Sequence, residues 1–135
     1  MNIARVTLAA FVLTFLLQQC GQITAYEEEY DVAVLAFIEH FSVDDSVTQH
    51  SISVALKGTF GESTAFQFDR INVARTDTLF RIGVWGREAY KTGVVYPFKH
   101  VGIDTVLILS SPLKGLHYID VIAAQGVLRD STTVY

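Results

Sequence analysis

The sequence is short of cysteine, of proline and of positive charge, and each shortage closes a class of answers. A single cysteine, Cys20, excludes a disulfide scaffold and any site built from several thiolates. Two prolines and nine glycines in 135 residues exclude a collagen-like chain. Ten Lys and Arg against 14 Asp and Glu give a net charge of −4, which leaves no basic footprint for nucleic acid or an anionic membrane. Charged residues are only 18% of the chain and hydrophobic ones 50%, with a mean hydropathy of +0.34. A chain of that composition collapses around a core instead of staying disordered. Its length suits one domain.

Part of the hydrophobicity belongs to a leader. Arg5 is followed by an apolar run from Val6 to Leu17, interrupted by two threonines, and then by a polar stretch from Gln18 that ends at the small residue Ala25. A basic, then apolar, then cleavable order is that of a secretory signal peptide. The apolar run is shorter than the ~20 residues of a membrane span, which argues against a signal anchor. A lipoprotein site at Cys20 is disfavoured by the bulky Gln18 and Gln19 before it. The expected cut after Ala25 leaves a secreted domain of residues 26–135 with no cysteine and, once Arg5 is gone, a net charge of −5. Such a domain must be held by apolar burial, and ~110 residues can bury about two-thirds of their unfolded surface.

The dominant period in that domain is two. Ile52, Val54 and Leu56 alternate with smaller or polar residues, as do Phe66 and Phe68, and then Phe80, Ile82 and Val84. Successive strand side chains point to opposite faces, so these are half-buried strands. Asp31–Phe41, in which Leu35-Ala36-Phe37-Ile38 also suits a short helix, Val94–Tyr96, Thr105–Leu109 and Leu116–Ala123 complete about seven predicted strands. The breaks between them fall at Ser42–Ser46, Lys57–Gly61, Trp85–Glu88, Ser110–Pro112 and Gln125–Gly126. Strands every 10–15 residues without an amphipathic helix predict an all-β, antiparallel β-sandwich. Between Phe68 and Ile71 the apolar phase slips by one residue, which predicts a bulge or a corner near Asp69-Arg70.

Candidate chemistry is sparse. His40, His50, His100 and His117 form no HExxH pattern and have no histidine three or four residues away, and they are expected to be surface or hydrogen-bonded residues. No Gly-x-Ser-x-Gly elbow, P-loop or glycine-rich fingerprint occurs. Ser110-Ser111 before Pro112 reads as a turn. No cofactor is expected; calcium is the alternative, because Asp44, Asp45, Asp69, Asp77, Asp104, Asp120 and Asp130 offer oxygen ligands, although only the first two are adjacent. Glu27-Glu28-Glu29 reads as a solvated N-terminus. Among the aromatics, Trp85 and Tyr118 are assigned to the core, and Tyr90 and Tyr96 are the candidate interface residues, since Tyr and Trp dominate binding hot spots.

From about Phe66 to Tyr135, roughly half the chain, the order of motifs resembles the C-terminal module of the fibulin and hemicentin families. Leu79-Phe80-Arg81-Ile82 leads to Gly86-Arg87-Glu88-Ala89-Tyr90, then to Gly93 and the strand Val106-Leu107-Ile108-Leu109. The turn Pro112-Leu113-Lys114-Gly115 follows, then Tyr118-Ile119-Asp120-Val121 and Thr132-Thr133-Val134-Tyr135. The turn is the most specific piece. The resemblance implies a disulfide-free β-sandwich that makes protein–protein contacts in extracellular matrix and has no catalytic role. It also implies one more strand beyond the position of Tyr135, so that the domain would be short of its last strand. A weaker likeness is to cadherin repeats, through Phe80-Arg81-Ile82 and the run Tyr118–Ala124.

These readings converge on a secreted, non-enzymatic matrix or adhesion module that binds other extracellular proteins through a sheet face or edge, with no nucleic-acid partner and no membrane attachment after signal cleavage. The alternatives are a small-ligand carrier or lectin-like sandwich, or a calcium-dependent cadherin-like module.

Overall fold

The computed structural model describes residues 28–48 and 50–135; the leader expected at residues 1–25 lies outside the described residues. Nine strands form two packed sheets: β1 (Glu29–Leu35), β2 (Phe37–Val43), β3 (Ser46–Val47), β4 (Ser51–Ser63), β5 (Phe66–Thr76), β6 (Leu79–Lys91), β7 (Phe98–Ser110), β8 (Gly115–Ala123) and β9 (Gly126–Val134). The larger sheet has six strands with β6 at its centre. β5 lies along one side of β6, while β8 and then β1 share the other, and the order continues through β9 to β3. The smaller sheet is β2-β4-β7.

The alternating residues seen in the sequence meet between the sheets. Ile52, Val54 and Leu56 of β4 join Phe80, Ile82 and Val84 of β6 and Ile119 and Val121 of β8 in one buried cluster. At about 25 cal/mol per Å² of apolar surface removed from water, this burial is the largest favourable contribution to folding. The all-β sandwich without a disulfide is as the sequence predicts. The phase slip is there too, as a register shift between Phe68 and Arg70 on β5, where Asp69 is the extra residue.

Five expectations need correction. The described residues form nine strands, not about seven, and the sandwich is not wholly antiparallel: β6 and β8 pair in parallel, as do the short β3 and β9. Asp31–Phe41 is two strands in different sheets, hinged at the fully buried Ala36, whose N–H donates to Val84 O and whose carbonyl accepts from Ala124 N. Val94–Tyr96 is a connection and not a strand, set between the positive-φ Gly93 and Pro97. Lys57–Gly61 and Trp85–Glu88 are strand interiors, not breaks. Their glycines serve close approach: a Cβ on Gly58 would lie 2.5 Å from Phe37 O, and one on Gly86 would lie 2.6 Å from the Phe60 ring. Glycine in a strand marks just such a neighbour.

The packing account makes a graded prediction for urea unfolding. Ile82→Ala should cost about 2–5 kcal/mol through lost burial and a residual cavity. Val127→Thr, on an exposed position of β9, should stay within about 0.5 kcal/mol. Equal losses at the two sites would contradict the assignment of the core.

Candidate functional site: a tyrosine stack beyond the core

The core face of β6 does not end with the core. Phe80, Ile82, Val84 and Gly86 are buried, and the same face continues to Glu88 and Tyr90, where the smaller sheet no longer covers it. In the β1–β6 register Tyr30 stands opposite Tyr90 and Val32 opposite Glu88, so β1 prolongs the face. The result is an overhang whose aromatic residues meet water: Tyr30 is 40% and Tyr90 36% exposed.

Three rings stack there. Tyr30 and Tyr90 have centroids 5.2 Å apart with planes at 19°, and Tyr90 and Tyr96 are 5.6 Å apart at 28°. Both are within the 4.5–7 Å range of attractive aromatic pairs, worth about 0.5–1.5 kcal/mol each. Polar contacts fix the ends of the stack. The Tyr30 hydroxyl donates to Glu88 Oε1 at 3.2 Å, and Tyr96 Oη accepts the Lys91 N–H at 2.8 Å. Burial first, and then the Glu88 carboxylate, raise the Tyr30 phenol above its ordinary value, so it remains a neutral donor near neutral pH. Thr92 ties the strand ends together: its N–H and hydroxyl both donate to Glu28 O, and its Oγ1 accepts the Glu28 N–H. Exposed Val32, Val94, Val95 and Phe98 complete an apolar surface at this end of the sandwich.

Tyr90 and Tyr96, singled out in the sequence, are thus in contact. Tyr30 was missed, although it shares strand parity with Val32 and Val34. Trp85 and Tyr118 are not in the core. Because Val84 and Ile119 point inward, their neighbours point outward, and Tyr118 is 41% exposed. Each carries a guanidinium over its ring, Arg70 on Trp85 at 5.6 Å and Arg129 on Tyr118 at 5.5 Å. Pro112, Leu113 and Lys114 form the connection from β7 to β8, and Gly115, at φ +107°, opens β8.

That connection is pinned by an unforeseen pair. Ser111 and His117 are fully buried, and Ser111 Oγ lies 2.7 Å from His117 Nε2. With Nδ1 2.9 Å from the Gly115 carbonyl, the ring carries its proton on Nδ1 and Nε2 accepts from the serine hydroxyl. Ser111 Oγ also accepts the Leu113 N–H and an Arg75 N–H. The spacing suits a nucleophile and its base, yet the pair is sealed from solvent, and a backbone carbonyl occupies the place where a carboxylate would orient the imidazole. It closes a turn. His40 and His100 are exposed, and His50 sits at φ 56° with its Nδ1 buried and without a hydrogen-bond partner among the described residues.

The aspartates are dispersed. Asp44 and Asp45 lie between β2 and β3, Asp77 in the β5–β6 turn and Asp104 on β7; Asp130 accepts the Ser131 N–H, and Asp69 pairs with Arg70. Among the described residues no group of three or more His, Cys, Asp or Glu is placed to hold a metal ion. A groove of about 420 Å³ crosses the outer face of β4 and β7, lined by Lys57, Gly58, His100, Gly102, Ile103 and Asp104. It is open to solvent.

Among the described residues Asp120 is the one buried carboxylate, on the outer face of the larger sheet, and it receives both Arg129 Nε (2.5 Å) and Nη2 (2.7 Å). The Arg129 hydrogen bonds, more than its charge, hold the Asp120 carboxyl below its ordinary range against the opposing effect of burial. No family model, curated protein or solved structure matches the chain.

The depressed Asp120 sets a pH dependence. A group whose folded pKa lies below its unfolded value stabilises the fold above the usual carboxylate range, about pH 4, and that contribution is lost as pH falls through the folded pKa. In urea unfolding, Asp120→Asn should therefore be less stable than the wild type at pH 7, with the gap closing in strong acid. A gap of the same size at both pH values would contradict this linkage.

Proposed function

We propose that this chain is a secreted, non-enzymatic matrix or adhesion module that binds another extracellular protein through the overhanging sheet face at Tyr30, Tyr90 and Tyr96. The observation that carries the reading is the stack itself. Three tyrosines from two strands and a connection are held face to face by one another and by Glu88, half in water. Rigid, partly exposed tyrosines give large contact area at little entropic cost, which is why they recur as binding hot spots. The secretory order of residues 1–25, the acidic charge and the fibulin-like run of motifs support an extracellular setting. Binding in place of catalysis is supported by the burial of the Ser111–His117 pair, which no substrate reaches. The open groove at Lys57 and Asp104 gives a carrier or lectin reading less support, since a carried ligand needs to be largely enclosed.

Surface binding of the protein to a panel of extracellular matrix components tests the proposal. At least one component should bind, and Tyr90→Ala should weaken that binding about tenfold or more while the far-UV circular dichroism stays unchanged. Failure to bind any component, or binding indifferent to Tyr90→Ala, would count against it.

A further inference from the structure

Three aromatic rings of this molecule carry an arginine from the same chain. Arg70 lies over Trp85 at 5.6 Å, Arg75 over Phe80 at 5.5 Å and Arg129 over Tyr118 at 5.5 Å. The third is the most complete. Tyr118 and Asp120 stand two residues apart on β8 and therefore share its outer face. Arg129 reaches over the Tyr118 ring while its Nε and Nη2 fork the Asp120 carboxylate at 2.5 and 2.7 Å. A planar guanidinium serves both groups at once, with its face on the ring and its edge on the carboxylate.

The tyrosine stack holds the same pair of groups without the guanidinium. Glu88 and Tyr90 stand two residues apart on β6, on the face that continues from the core, with Tyr30 opposite Tyr90. Glu88 Oε1 accepts the Tyr30 hydroxyl, and Oε2 has no hydrogen bond among the described residues. Arg87 and Lys91, the cations nearest in sequence, point to the opposite face of the sheet, where they pair with Asp31 and Glu29. Among the described residues no cation pairs with Glu88 or lies over Tyr30, Tyr90 or Tyr96. Tyr90 touches two rings, whereas Tyr30 touches only one and is 40% exposed, at the end of a strand that pairs with β6 alone. One face of Tyr30 is thus left uncovered by any ring. The field beside it is negative: burial contributes most to the raised Tyr30 phenol, and the carboxylates of Glu88 and, more weakly, Glu28 add to it.

We propose that the extracellular protein bound at the stack presents an arginine, whose guanidinium lies on the Tyr30 ring and forks the Glu88 carboxylate as Arg129 does with Tyr118 and Asp120. The inference rests on the binding role proposed above for these tyrosines and adds the chemistry of the partner. Charge complementarity selects the occupant. An apolar or acidic partner would dry the Glu88 carboxylate without compensating it, and an uncompensated charge in an interface is costly. Lysine fits less well, because its ammonium is a strongly hydrated point charge that neither forks a carboxylate nor stacks on a ring. The net charge of −4 draws a cationic partner toward the molecule at long range.

Nuclear magnetic resonance titration of the protein expressed from its full sequence tests this, with a blocked hexapeptide of alternating arginine and glycine and its lysine–glycine counterpart as probes. The arginine peptide should shift the ring signals of Tyr30, Tyr90 and Tyr96 saturably and bind about threefold or more tighter than the lysine peptide. Glu88→Gln should weaken it about fivefold or more, whereas Asp104→Asn, which removes the same charge from the outer face of the smaller sheet, should leave the affinity within about twofold. No saturable shift, equal affinity for the two peptides, or equal weakening by Glu88→Gln and Asp104→Asn would overturn the proposal. The comparison of the two peptides needs the wild type alone, so it decides the matter even if Glu88→Gln fails to fold. No matrix component enters the titration, so the two readings fail separately. Matrix binding that is lost in Tyr90→Ala, with no peptide bound, overturns the arginine and leaves the binding face standing; selective arginine binding with no matrix component bound does the reverse.

Discussion

Where Ile52, Val54 and Leu56 on one sheet meet Ile82, Val84, Ile119 and Val121 on the other, side chains that would otherwise order water instead fill the space between two pleated layers. With one cysteine in the whole sequence, the chain has no intramolecular disulfide to fall back on, so cohesion rests on that seam. The demand propagates outward. Each residue committed to the seam fixes the facing of its neighbours, which is why Trp85 and Tyr118 are turned to the outer face and stabilised there by Arg70 and Arg129. It also sets the polar exceptions. Ser111 and His117 are tolerated at full burial because each satisfies the other, and Asp120 because Arg129 grips it with two hydrogen bonds.

The parts of the fold legible in the sequence are those where a buried face enforces alternation. The runs at Ile52–Leu56 and Phe80–Val84 read as strands, and the slip between Phe68 and Ile71 calls for a bulge or a corner, of which the fold uses the bulge. Less legible were features whose residues serve more than one purpose. Gly58 and Gly86 have the composition of turns but sit in strands, because what they accommodate is a neighbour distant in sequence. Ala36 carries no local mark of a hinge; its role comes from hydrogen bonds to Val84 and Ala124. The parallel pairing of β6 with β8 is a fact of topology that period-two patterning does not encode.

The candidate site was half legible. Tyr90 and Tyr96 stand out as aromatics near a glycine break, but their partner Tyr30 is 60 residues upstream of Tyr90 and meets it only through the β1–β6 register. The same limit applies to β7, whose place at the edge of the smaller sheet beside β4 follows from topology and is not written in its own residues. Sandwich proteins spend apolar residues on the core first, so those left in water at Tyr30 and Tyr90 are the informative ones.

Native-state hydrogen exchange under reducing conditions tests the dependence on the inter-sheet seam most directly. If apolar packing alone sustains the fold, the amides at the middle of β4, β6 and β8 should open only with global unfolding, while those of the 92–97 connection exchange through local fluctuations. Rapid exchange throughout β4, β6 and β8 would contradict the account.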